Sequence, residues 1–176
     1  MRIAVISSSL HSPSKSLTLA RLAEEFLQAG GHDVDFIDLH TCEIPLCGVK
    51  GCFEHPAVKD LSVRLAQADG ILLASPVYNY DVNAAAKNLV ELTGRAWEDK
   101  VVGFLLSAGG HASYMSILGF ANSLMLDFRC LILPRFVYAV DKEHFSGQEL
   151  SDPEVRRRVE DLVRQLLRVA GALKSV

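Results

Sequence analysis

No apolar run in this 176-residue sequence approaches the length of a bilayer-spanning helix. The opening MRIAVIS also lacks the apolar stretch and small-residue cleavage site of an export signal. The expectation is a cytoplasmic chain without a membrane partner. A dense Lys/Arg stripe is missing too, and a formal net charge of -3 argues against nucleic acid as a partner. Arg156, Arg157 and Arg158 lie in a helical pattern with Glu154, Glu160 and Asp161, which reads as a solvated face. Neither a Gly-x-Gly-x-x-Gly fingerprint after the first apolar run nor a Walker A loop is present. No linker or repeat interrupts the chain. One domain over residues 1–176 is expected, and 49% apolar composition suffices for a full core.

Cysteine is sparse. Cys42, Cys47 and Cys52 recur every five residues in a Gly/Pro-containing segment, and Cys130 opens an apolar run. The two-residue spacing common in zinc and iron–sulfur sites is missing, and no fourth ligand is evident nearby. Free thiols and no metal are the expectation in a reducing compartment. A redox-labile thiol and an iron–sulfur cluster stay open as alternatives.

What is present alternates in the manner of an α/β sheet. Strands are expected at Ile3–Ile6, Val34–Leu39, Ile71–Ala74, Val101–Leu106 and Leu131–Val140, the last broken by Pro134 and therefore suited to an edge. Helices are expected over residues 15–29, 56–67, 83–92 and 111–128, and from Pro153 to about Leu173. The segment 40–55 is a long excursion that can shape a pocket. This order predicts a doubly wound, flavodoxin-like three-layer sandwich with a five-stranded parallel sheet in the order 2-1-3-4-5.

In such a sheet ligands dock beyond the carboxyl ends of the strands, at the switch point between strands 1 and 3. The loops that meet there are SSSLHSPSKS, SPVYNY and SAGG. The first suits a phosphate: Ser7, Ser8, Ser9, Ser12, Ser14 and Ser16 offer hydroxyls, a helix N-terminus offers free N–H groups, and Lys15 adds a charge. The second has no credible general base, since Asp81 is its one carboxylate and Tyr78 and Tyr80 are phenols with a reference pKa near ~10. It suits a flat, partly polar ring. Together they point to FMN, with its phosphate at residues 9–16 and its ring reaching residues 75–80, and to redox chemistry carried by the cofactor.

The spacing Ser9-x4-Ser14-Lys15-Ser16, the stretch SPVYNYDVNAAAKNLVEL and the turn SAGG resemble the NADPH-dependent FMN reductase family along roughly residues 1–140. The resemblance implies a flavodoxin-like fold, FMN as cofactor or substrate, and NADPH or NADH as hydride donor. By position, Ser9, Ser14 and Ser16 would hold the phosphate with help from Lys15. Pro76, Val77, Tyr78 and Asn79 would border the isoalloxazine, and Ser107, Gly109 and Gly110 its pyrimidine end. Ser8 and His11 stand where members commonly have Gly and Arg, so the phosphate loop is less strongly charged. His11 and His111 are expected near the pocket as a solvated loop residue and a helix-start residue.

The expected reaction passes hydride from NAD(P)H to the flavin and on to a small-molecule electron acceptor, which the sequence does not specify. Two rivals stay open, a flavodoxin-type electron carrier and an iron–sulfur flavoprotein. Assembly is expected as well. In YMSILGFANSLMLDF, the row Tyr114, Leu118, Ala121, Met125 and Phe128 can pack on the sheet, which leaves Ile117, Phe120 and Leu124 as a second apolar row. A subunit partner in a homodimer or homotetramer would cover it.

Overall fold

The computed structural model describes residues 1–174. The chain alternates strand and helix from its start. Strand β1 (Arg2–Ser7) leads to α1 (Lys15–Ala29), and β2 (Asp33–Asp38) leads through the 40–55 excursion to α2 (Pro56–Gln67). Next come β3 (Gly70–Tyr78), β4 (Asp81–Val82), α3 (Ala84–Thr93) and β5 (Val101–Ala108). A single-turn stretch at His111–Ser116 enters α4 (Ile117–Phe128), followed by β6 (Leu131–Ile132) and β7 (Val137–Val140). The chain then forms the short α5 (Asp141–His144), the hairpin β8 (Phe145–Ser146) and β9 (Glu149–Leu150), and α6 (Pro153–Lys174).

The sheet runs β2-β1-β3-β5-β6, with β7 also on β5 and β4 antiparallel to β3. The five positions across the sheet follow the expected order, but the count of five strands and the wholly parallel sheet are corrected: among the described residues this sheet has seven strands, one of them antiparallel. Two causes account for the difference. The expected last strand splits around Pro134 into β6 and β7, both parallel to β5. In addition β3 runs on past Ala74 through Ser75, Pro76, Val77 and Tyr78, so most of the expected 75–80 loop is strand, folded back as a hairpin with β4. Pro76 is tolerated there because β1 pairs with β3 only as far as Ala74, leaving β5 as the neighbour at Pro76.

Each face of the sheet carries a core. One includes Ile6, Leu73, Trp97, Phe104 and Phe120; the other includes Ile3, Val5, Leu72, Leu105, Leu162 and Leu166. Helix α6 lies close against the second face because two sheet positions lack a side chain. A Cβ on Gly103 would stand 2.9 Å from Leu72 Cδ2 and 3.2 Å from Leu162 Cδ1, and one on Gly70 would stand 3.3 Å from Leu166. Arg157 and Arg158 pair with Glu154, and Arg157 also with Asp161, as the solvated-face reading of α6 requires.

The apolar rows of α4 are reversed from expectation. Ile117, Phe120, Ala121 and Leu124 are buried against the sheet, whereas Leu118, Met125 and Leu126 are exposed, Leu126 to 78%. The helix starts at Ile117 after a kinked turn at Ser113, so its phase cannot be extrapolated from Tyr114. The same helix borders a concavity of about 890 Å³, lined by Phe53, Val63, Val90, Arg95 and Phe128 among others. It is far from the carboxyl edge of the sheet.

Candidate functional site at the carboxyl edge

A cleft of about 310 Å³ opens at that edge, where β1 and β3 lead into α1 and α3 on their way around the sheet. It is lined by Ser9, Ser14, Lys15 and Ser16 from the first loop, Pro76, Val77 and Tyr78 from β3, and Ser107 and Gly109 from the end of β5. Nine of the expected site residues therefore meet in one cavity. The other two, Asn79 and Gly110, border an adjoining cleft of about 390 Å³ that shares Val77 and extends to Tyr80 and His111.

The first loop brings four of its residues, Ser9, Ser14, Lys15 and Ser16, to the cleft, though not every serine is among them. Ser14 caps α1, its hydroxyl accepting from Leu17 N at 3.1 Å and lying 3.2 Å from Ser16 Oγ. The first intrahelical bond runs from Thr18 N to Ser14 O, so the N–H groups of Lys15 and Ser16, two residues that line the cleft, precede the ladder. Ser9 Oγ turns back to the backbone of His11 at 3.2 Å. Three serines depart from the sequence expectation. Ser7 is buried with its hydroxyl unpaired, Ser12 lies outside the cleft lining, and Ser8 points inward to Asn83. Lys15 does not offer a free charge either: its ammonium is ion-paired with Asp141.

Asn83 was not anticipated, yet it ties the cleft together. Its Oδ1 accepts from Ser8 Oγ at 2.7 Å and Ser75 Oγ at 3.1 Å, and its Nδ2 donates to Ser8 O at 2.6 Å. The same oxygen caps α3 by accepting from Ala86 N. One buried amide thus fixes the phosphate loop, the end of β3 and a helix start. The signal in the sequence was modest: an Asn ahead of an Ala-rich helix.

Beyond Val77 the chain reverses through Asn79 and Tyr80, with φ of 51° and 62°, between the paired Tyr78 and Asp81. Positive φ at both central residues is the two-residue hairpin geometry that matches strand twist. Asn is at ease there; Tyr is not, and its ring is 66% exposed over the adjoining cleft. Gly109, which lines the first cleft, and Gly110, which lines the adjoining one, have no neighbouring atom within 4 Å of a Cβ position. Tyr138 holds this turn, its phenol donating to Gly110 O and lying 2.7 Å from Ser113 Oγ.

The other wall is an arm that sequence reasoning missed, residues 141–152, comprising α5 and the β8–β9 hairpin. Asp141 and Gln148 line the cleft, and Thr18 Oγ1 donates to Gln148 O at 3.0 Å. His111 Nε2 meets the Glu143 carboxylate at 2.7 Å on the far side. Asp141 could have been found by position, since it follows the last parallel strand directly at the edge where ligands dock.

The chain matches the family model described as NADPH-dependent FMN reductase over residues 1–145. The chain belongs to that family. It is thereby placed among flavin-dependent oxidoreductases that use NAD(P)H as co-substrate. Its relatives agree. It is 29% identical to the NAD(P)H-dependent FAD/FMN reductase of Geobacillus thermodenitrificans, covering 81% of this chain and 78% of that one. It is 28% identical to a probable NADPH:quinone oxidoreductase 2 of Oryza sativa subsp. japonica, over 99% and 91%. The flavoenzyme NAD(P)H:(acceptor) oxidoreductase FerB of Paracoccus denitrificans has the same fold, with a TM-score of 0.79 at 17% identity over 97% of each chain.

The cysteines lie away from this edge as free thiols. Burial pushes the Cys42 and Cys47 thiols up and Cys130 to about 11, which keeps them protonated. Among the described residues no group of three or more His, Cys, Asp or Glu side chains is placed to hold a metal ion. No helix among them is long and apolar enough to cross a membrane.

Proposed function

We propose that this chain transfers hydride from NAD(P)H to FMN held in the carboxyl-edge cleft, and that the electrons go on to a small-molecule acceptor such as a quinone. One observation carries the reading: the Ser9–Ser16 loop, the Pro76–Tyr78 strand end and the Ser107–Gly109 turn converge on one cavity that the start of α1 also lines. The residues fit the group. The hydroxyls of Ser9, Ser14 and Ser16, the Lys15 and Ser16 N–H groups and the start of α1 take the phosphate. Pro76, Val77, Tyr78 and Asn79 border the ring, and the space left by Gly109 and Gly110 beside Ser107 admits its pyrimidine end.

When bound, the flavin supplies the two-electron chemistry. The protein needs to orient it, shield one side and leave the other open. Buried Pro76 and Ser107 form the floor, the exposed ring of Tyr78 borders the same cleft, and that of Tyr80 stands at the adjoining cleft, where a nicotinamide or acceptor ring docks. Backbone N–H groups of the 107–110 turn stabilise negative charge at the pyrimidine end. No side-chain acid/base pair is required. The reading works on one domain in the cytoplasm, where nicotinamide donors are available.

A second copy of the chain covers the exposed Leu118, Met125 and Leu126 row and the groove that the same helix borders, giving a homodimer or a homotetramer built from it. The groove carries both signs, Lys87 and Arg95 with Glu91 and Asp127, which suits a self-complementary contact.

The test is FMN titration of a Ser14→Ala/Ser16→Ala variant shown to be folded by circular dichroism. Hydrogen bonds to a charged phosphate are worth about 1.5–3 kcal/mol each, so affinity falls at least about tenfold. Unchanged affinity removes the phosphate site and the reading with it.

A further inference from the structure

The phosphate cradle contains its own competitor. Of the side chains that line the cleft, Lys15 is the one permanent cation and Asp141 the one carboxylate, and they are paired with each other. Lys15 is 21% and Asp141 46% exposed in their side chains, so the pair sits at the rim, partly screened from solvent, beside Ser14, Ser16 and the start of α1. Two other titratable side chains belong to the lining, His11 from the loop and the phenol of Tyr78 from the end of β3. Around the arm, Glu143 is engaged with His111. The lining therefore has no net formal charge with His11 neutral.

We propose that Asp141 is a specificity-determining residue that weakens the hold on the flavin phosphate, so that FMN is exchanged as a substrate and not kept as a resident cofactor. The proposal rests on the functional reading above. A phosphate monoester carries close to two negative charges near neutral pH. If it draws Lys15 to itself, Asp141 loses its partner next to a dianion. If Lys15 stays on Asp141, the phosphate receives only dipoles and hydroxyls. In both arrangements the carboxylate opposes the bound phosphate, and its removal frees a full cation for it. Asp141 follows β7 directly and lines the cleft, which places its charge beside that space.

The effect is confined to the phosphate, which makes it separable from folding and from the ring site. The experiment is titration of the wild type, Asp141→Asn and Asp141→Glu with FMN and, in parallel, with riboflavin, which lacks the phosphate. The expected result is a roughly tenfold lower Kd for FMN in Asp141→Asn, with riboflavin within twofold of the wild type and Asp141→Glu close to the wild type for both. A Lys15→Met/Asp141→Asn double variant loses the gain. Thermal melting of each variant verifies the fold. An unchanged FMN Kd in folded Asp141→Asn overturns the proposal, as does an equal shift for FMN and riboflavin. Loss of affinity in the Ser14/Ser16 variant alongside a null result at Asp141 refutes this inference alone; no effect at either place refutes the site itself.

Discussion

Replacing Asn83 by Ala should damage stability and flavin binding together, and the size of the damage follows from its hydrogen bonds. The change removes the N-cap of α3, a loss of about 1 kcal/mol. It also strips partners from Ser8 Oγ, Ser75 Oγ and Ser8 O, all in buried residues. Each buried polar group left unsatisfied costs about 1–3 kcal/mol, but Ser75 Oγ keeps Pro76 O at 3.0 Å, and a water entering the new space relieves part of the rest. A net loss of about 3–4 kcal/mol remains, a large share of the roughly 5–15 kcal/mol typical of a domain. In urea denaturation without flavin, the midpoint should fall with little change in slope. In FMN titrations, affinity should drop as the phosphate loop and the end of β3 lose their common tether. A loss under about 1 kcal/mol with unchanged FMN affinity would show that the amide is not what joins the two segments.

Three other outcomes are expected. Burial opposes the Asp35 carboxylate, but hydrogen bonds and charges from Arg64 and Arg2 outweigh it and hold its pKa below the ordinary 3.8 of an aspartate. Its stabilisation is present above about that pH and lost as pH falls through the lower folded value, so Asp35→Asn should be weaker by about 2 kcal/mol at pH 7 and show a shallower acid melting curve; an equally steep curve refutes the assignment. Cys130, raised to about 11 by burial and donating to Trp97 O at 3.1 Å, should be the slowest thiol to react with a maleimide, and wild-type stability should fall from about pH 9 towards 11 with a smaller fall in Cys130→Ala. Leu118→Glu, an exposed position, should give a folded monomer by light scattering, whereas a monomeric wild type at micromolar concentration removes the proposed contact.

Periodicity and turn residues were enough to place four of the five expected helices within about a residue, because apolar spacing, the Ser14 cap and Pro56 in a first turn are local signals, whereas the helix expected over residues 111–128 starts only at Ile117. The first loop, Pro76–Asn79 and the 107–110 turn were legible for the same reason, through their position after parallel strands. What was not legible depended on contacts distant in sequence. The link from Asn83 to Ser8 spans 75 residues, and the Lys15–Asp141 pair spans 126. The strand extension through Pro76 is permitted only because β1 stops short. The face of α4 was misjudged because a kink outside the helix reset its phase.

The two walls of the cleft are held by opposite kinds of force. Asn83 and its serines are neutral, buried and indifferent to ionic strength, so the wall formed by the first loop and β3 keeps its shape in any ordinary buffer. The arm opposite is tethered at the rim by Lys15–Asp141 and His111–Glu143, whose partners reach solvent and are screened by salt within a Debye length of about 8 Å at physiological strength. The molecule therefore resembles a clamp with one fixed jaw and one whose grip depends on the electrolyte. Raising the salt weakens those two ties, and the arm is then held by the Thr18–Gln148 hydrogen bond and by buried Phe145.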